Sequence, residues 1–256
     1  MALKHTFFGL AVGFILSGPI GAVLGAVLGS LVPDKVEKDE NKPPENRENY
    51  NKNRASEFTY SLLILFAIVI KADNKTKKSE IAFIKSYLIK KFGLENAQEM
   101  MHILKALLQK NVEAKPVCQQ IRFNTDYYFR IELIHLLFKL ATIDQHISVE
   151  EFDCIKNISI DLGVSNLDFR RIASMFTYSS SSKSQSTFKL EKAYKIMGVE
   201  KGVTLEELKK SYRKLSKEYH PDRVAHLGEE YQKIAEEKFV KIKDAYDTIK
   251  KDLESF

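Results

Sequence analysis

The distribution of apolar positions divides the chain into segments of different kinds. Thr6 to Val32 runs without a charge, longer than the ~20 residues that cross a bilayer core. An uncleaved membrane helix is expected over residues 1–32. The competing reading is a cleaved signal peptide, whose apolar region spans about 7–15 residues; this run is too long for that. Residues 33–57, "PDKVEKDENKPPENRENYNKNRASE", carry charges, Asn and three prolines, and have too little apolar surface to order themselves. They are expected to act as a tether. From Phe58 to Ile70 the chain is apolar again, but too briefly for a second span, so a buried central helix is expected. Amphipathic stretches follow at 79–92, 95–110, 125–142, 149–161 and 166–176, and no long period-two run suggests a strand. The Ser-rich stretch 177–188 is expected to be a flexible linker. Three more helices complete residues 189–256.

The middle region, 58–176, contains a repeat. "FAIVIKADNKTKKSEIAFIKSYLIKKFGL" aligns with "FKLATIDQHISVEEFDCIKNISIDLGV", matching Asp73 to Asp144, Glu80 to Glu151 and Ile84 to Ile155. Each copy reads as helix, Asp-led turn, helix and a stopping glycine, Gly93 or Gly163. Ser148 and Glu151 form a capping box. A calcium loop is not expected, because "DNKTKK" and "DQHISV" put Lys or His at the third position and lack the sixth-position glycine. This pattern resembles the TerB-like helical domain of tellurite-resistance proteins, and the resemblance implies a helical bundle.

In the last segment, a short helix over about 190–197 stops at Gly198. The next helix opens with Thr204 as N-cap and Glu207 three residues on. Leu205, Leu208, Tyr212, Leu215 and Tyr219 share one face; Ala235, Phe239, Ile242, Tyr246 and Ile249 share a face of the last helix. The two faces are expected to pack together. Outside, Lys209, Arg213 and Lys217 form one stripe, and Lys210 and Lys214 a second. Pro221 pushes His220 out of helical geometry and ends the helix. His220 and Asp222 invite a catalytic reading, but no nucleophile or oxyanion donor is in reach in sequence, and no catalytic residue is expected.

"AYKIMGV", "LKKSYRKLSKEYHPDR" and "KFVKIKDAYDTI", in that order, resemble the J-domain of DnaJ-type co-chaperones. The resemblance implies docking on a DnaK-type chaperone ATPase and stimulation of its ATP hydrolysis. The loop would be His220, Pro221 and Asp222, and the docking face Lys209, Lys210, Tyr212, Arg213, Lys214 and Lys217, with Arg223 nearby. The whole order resembles the membrane-anchored DjlA-type co-chaperones of bacteria. No Gly/Phe-rich segment or CxxCxGxG repeat follows, unlike full-length DnaJ proteins, so direct holding of unfolded clients is not implied. The fold expected is all-α: one N-terminal transmembrane helix, a TerB-like bundle (58–176) and a three-helix J-domain (189–256). A regulatory role at the bacterial envelope is implied by resemblance alone. The alternative is a membrane receptor or scaffold whose TerB-like domain senses a ligand or metal.

Composition refines this picture modestly. Over 256 residues the formal net charge is +6. Residues 189–256 carry nearly equal numbers of acids and bases, so the basic footprint of a nucleic-acid binder is missing and no nucleic acid is expected. Two cysteines, Cys118 and Cys154, stand in unrelated contexts; neither a zinc ribbon nor a redox pair is supported, and no metal or cofactor is expected. Gly9 and Gly13, and Gly21, Gly25 and Gly29, recur at four-residue spacing. That spacing favours close helix approach, hence a homodimer through the membrane helix, with a kink at Gly18–Pro19. Lys35, Lys38, Lys42, Arg47, Lys52 and Arg54 follow the apolar run, against Lys4 before it. Counting Lys and Arg places the C-terminal bulk in the cytoplasm, with a single pass through the inner membrane.

Overall fold

The computed structural model describes residues 18–26, 60–176, 185–223 and 229–254. These are helical throughout apart from turns, and no strand occurs among them. In chain order the helices are α1 (18–26), α2 (60–70), α3 (Lys78–Leu108), α4 (Ala114–Asn124), α5 (Tyr127–Ala141), α6 (Val149–Asp161), α7 (Asn166–Phe176), α8 (Gln185–Met197), α9 (Leu205–Glu218) and α10 (Glu229–Glu254). They fall into two compact units, Met1–Asn124 and Thr125–Phe256.

In the first unit α2 is the buried central helix that its apolar run requires. Leu62 to Ala67, Val69 and Ile70 are sealed from solvent, and the Phe66 ring meets Tyr87 of α3 edge-on at 6.0 Å. Burying one such aliphatic side chain contributes about 1.5–3 kcal/mol. Gly93, expected to stop a helix, does so: α3 is two helical stretches joined across a kink at this residue, whose φ of 79° is a conformation only glycine adopts without strain. Helix α4 lies between the amphipathic stretches expected from the sequence and carries Pro116 in its first turn. Proline in a first turn loses no hydrogen bond, since that amide has no intrahelical acceptor, so the helix forms around it.

The repeat is real at the level of the backbone. Asn74 and Gln145, each one residue after the aligned aspartates, share the left-handed conformation, with φ of 58° and 63°. In the first copy the Asn74 amide donates to the Lys71 carbonyl; in the second the Gln145 amide donates to the Thr142 carbonyl. Glu80 and Glu151 are both buried and both reach back to the backbone amide three residues earlier, at 2.9 and 2.7 Å. These acids therefore cap helices. Asp73 is likewise used locally, its carboxylate accepting the Lys75 amide at 2.9 Å.

The second unit places α5 centrally. Nine of its apolar side chains are sealed, and Glu132 and His135 are sealed with them. Helix α8 begins at Gln185, inside the stretch expected as linker, and stops before Gly198 at φ 65°. Helices α8, α9 and α10 close around Ala193, Met197, Leu208, Leu215, Ile242 and Ile249. The Ser211 hydroxyl donates to the Met197 carbonyl, tying α9 to the end of α8. This three-helix module packs on α5 and α7.

Of the expected anchor, only residues 18–26 are described. Among the described residues no helix is long and apolar enough to cross a membrane. Gly18 takes φ 63° immediately before Pro19; the expected kink involves residues 1–17, which lie outside the described residues. Gly21 and Gly25 lie one turn apart in α1; Gly9, Gly13 and Gly29 lie outside the described residues, as does the whole of the tether.

Candidate functional site

Helix α9 is built to begin and end where it does. The Thr204 hydroxyl accepts the Glu207 amide, and the Glu207 carboxylate accepts the Thr204 amide at 3.0 Å. Those hydrogen bonds hold the exposed Glu207 carboxyl below its usual range. Glu206 and Glu207 complement the positive end of the helix dipole. Beyond them Lys209, Lys210, Arg213, Lys214 and Lys217 are all exposed on the outer face. Tyr212 is half-buried, its ring stacked on Tyr246 of α10 at 4.5 Å, so it offers only an edge to that face.

The helix ends at Tyr219, whose amide donates to the Leu215 carbonyl at 2.8 Å. Pro221 to Arg223 form a single tight turn, closed by the Arg223 amide donating to the His220 carbonyl at 3.0 Å. The Asp222 amide points at His220 Nδ1 at 3.3 Å. The His220 side chain is 50% exposed and Asp222 85%. Phe239 of α10 backs the imidazole edge-on at 6.1 Å. The Arg223 guanidinium lies over the Tyr128 ring of α5, 3.9 Å from its centre. The sequence-predicted loop and basic face are thus contiguous, one running into the other at the C-terminal end of α9. No nucleophile accompanies the loop among its described contacts.

Two polar clusters beneath the loop have no counterpart in the sequence argument. In the first, Asp168 of α7 is a shared acceptor. Tyr127 and Ser165 hydroxyls donate to Oδ2, both at 2.6 Å; Arg171 Nη1 at 2.5 Å and the Tyr219 hydroxyl at 2.9 Å donate to Oδ1. Burial alone would push the Asp168 carboxyl up, but the Ser165, Tyr127 and Tyr219 hydrogen bonds and the Arg171 charge outweigh it and hold the group below its ordinary value. Tyr219 is pushed well above the phenol range by burial and by the Asp168 charge. Arg171 also donates from Nε to the Ile196 carbonyl at the end of α8, at 2.9 Å. In the second cluster, fully buried Lys238 of α10 pairs with Glu132 of α5. Burial raises the Glu132 carboxyl and lowers the Lys238 amine, each opposed by the other's charge. His135, one turn along α5, is fully buried against Phe176 at 4.8 Å and has no hydrogen-bond partner for either ring nitrogen among the described residues.

The thiols are unremarkable as nucleophiles. Cys118 is buried, and burial together with the Glu151 charge pushes the Cys154 thiol up to about 11. Among the described residues no group of three or more His, Cys, Asp or Glu is placed to hold a metal.

Three family models match this chain in succession: the co-chaperone DjlA transmembrane domain at residues 5–47, tellurite resistance protein TerB at 59–174 and the DnaJ domain at 192–254. The co-chaperone protein DjlA of Coxiella burnetii is 25% identical over 260 residues, covering 95% of each chain. That of Pasteurella multocida is 25% identical over 280 residues, covering 95% of this chain and 96% of its own. The chaperone protein DnaJ of Rhodospirillum centenum is 48% identical over 59 residues, only 14% of its length, so that likeness concerns the terminal module alone. No solved structure matches. The exposed His-Pro-Asp turn falls inside the DnaJ match, and the class is therefore that of J-domain proteins. With the transmembrane and TerB domains preceding it, in that order and along nearly the whole chain, the protein belongs to the membrane-anchored co-chaperones of the DjlA type.

Proposed function

We propose that the chain recruits a DnaK-type chaperone to a membrane and stimulates its ATP hydrolysis. The observation that carries this reading is the exposed His220–Pro221–Asp222 turn at the end of the basic face of α9. The face supplies charge: Lys209, Lys210, Arg213, Lys214 and Lys217 fit an acidic surface and speed encounter with it. The loop supplies shape and hydrogen-bond groups: the imidazole and the Asp222 carboxylate are open to a partner. Bond breaking occurs in the partner, and this chain lends geometry to it. The test is steady-state ATP turnover by the cognate DnaK-type protein with the full chain in phospholipid nanodiscs, wild type against His220→Gln.

The same proposal places the C-terminal domains in the cytoplasm, on the strength of the Lys and Arg residues that follow the apolar run. A reporter fused after Phe256 should be active in the cytoplasm; activity only on the far side of the membrane would reverse the topology. It also pairs two chains through the glycine stripe. Changing Gly21 and Gly25 together to Leu should weaken dimers of the membrane segment about tenfold, because the bulk keeps the backbones apart. Unchanged dimerisation in a membrane two-hybrid assay would reject the pairing.

A further inference from the structure

We infer that Tyr128, Asp168 and Arg171, which lie outside the DnaJ match, are positioning residues that hold the His220–Pro221–Asp222 loop in its presenting conformation. The inference rests on the docking reading of that loop and extends it to α5 and α7.

The root of the loop is Tyr219, the last residue before His220. Its ring is buried, and its hydroxyl is fixed by Asp168 at 2.9 Å and faced by Arg171 Nη1 at 3.4 Å. Both partners belong to α7. Arg171 simultaneously grips the Ile196 carbonyl, so one guanidinium sets the end of α8 against the end of α9. The far end of the loop is Arg223, laid over Tyr128 of α5. The turn is therefore anchored at residue 219 and at residue 223 by elements that precede the module in sequence. Between the anchors, His220 and Asp222 stay open.

Masking of the loop is not what this geometry favours. The basic face of α9 is exposed along its length, and the anchors approach from the side of α8 and α10. A loop tied at both ends and open in the middle loses less freedom when a partner grips it, which strengthens binding without changing what the bound loop does. Removing an anchor should therefore shift the concentration dependence of stimulation and leave its plateau alone.

The experiment uses the full chain in nanodiscs, with Tyr219→Phe, Tyr128→Ala and Tyr128→Phe. Tyr219→Phe deletes one hydroxyl; Tyr128→Ala deletes the ring under Arg223; Tyr128→Phe keeps that ring. The concentration giving half-maximal stimulation should rise about three- to tenfold for Tyr219→Phe and Tyr128→Ala, with the plateau unchanged, and Tyr128→Phe should behave as wild type. Hydrogen exchange of the chain alone provides a readout independent of any chaperone. The amides of Asp222 and Arg223 should exchange about five- to tenfold faster in Tyr219→Phe and Tyr128→Ala. Unchanged exchange overturns the anchoring, whether or not wild type stimulates ATP turnover. Faster exchange with unchanged half-maximal concentration overturns the positioning role. A lower half-maximal concentration would also overturn it, since the contact would then hide the loop. Absence of stimulation by wild type, with exchange shifted as expected, would count against the docking function and leave the anchoring standing.

Discussion

Changing Glu132 to Ala should lower the stability of the Thr125–Phe256 unit by about 3–5 kcal/mol, the usual cost of leaving one member of a buried pair uncompensated. Lys238 is sealed from water, and Glu132 is the carboxylate that pairs with it. Without that carboxylate the amine must shed its proton or open the packing of α10 on α5. The double change Glu132→Leu, Lys238→Met should recover most of the loss, because matched apolar groups of similar volume replace a buried pair at little net cost. Urea unfolding of the full chain measures both; a loss below about 1 kcal/mol for Glu132→Ala would show that the pair does not hold α10. The neighbouring His135 adds a pH dependence. Burial depresses its pKa well below the ordinary value of 6.5, and the charges of Lys238, Lys241 and Lys139 depress it further. A depressed folded-state pKa stabilises above the unfolded value and loses that stability as pH falls. Below pH 6.5 the unit should thus weaken by up to about 1.4 kcal/mol per pH unit from this group. His135→Phe keeps the ring against Phe176 and should flatten that slope.

Loss of stimulation in His220→Gln is the second large effect expected. The substitution keeps a polar side chain of similar reach but removes the imidazole. His220 is half exposed, and its contacts are the neighbouring Asp222, at 3.3–3.4 Å from Nδ1, and the distant edge of Phe239, so the fold should change by less than about 0.5–1 kcal/mol. A variant with an unaltered urea midpoint and no effect on ATP turnover would place the requirement in the loop itself. Stimulation equal to wild type, or none from either protein, would sink the proposed docking. The basic face should still support encounter in the variant, since Lys209 to Lys217 are untouched, so residual salt-sensitive binding is compatible with lost stimulation.

Local chemistry was the readable part of this chain. The capping box of α9, the proline that ends it and the aligned Asp turns are decided by residues within a few positions of one another, and the structure realises them. What escaped was decided at a distance. Lys238 sits in a stretch of alternating charges and apolar residues, and nothing nearby marks it for burial; its counter-charge comes from α5. Asp168 and Arg171 look like an ordinary exposed i, i+3 pair on a short helix, yet both are buried because α8 and Tyr219 cover them. One signal was available. "YYFRIELIHLLFKLA" is apolar on nearly every side, so Glu132 and His135 have no solvent face to occupy, and an ionisable group in such a helix implies a partner from elsewhere. Helix α4 was not expected from the sequence; its Pro116 falls in the first turn, where it is harmless.

The Glu132–Lys238 pair also sets an order of events during synthesis. The two residues are separated by 106 positions, and Lys238 belongs to α10, which the ribosome makes long after α5. Asp168 and Arg171, three apart on one helix, can satisfy each other as soon as α7 emerges. Glu132 has to wait, hydrated, until α10 is out, and α5 cannot be sealed before then. The three-helix module is thus the piece that completes the core beneath it, and a nascent chain arrested before α10 would expose the apolar length of α5 to the chaperones around it.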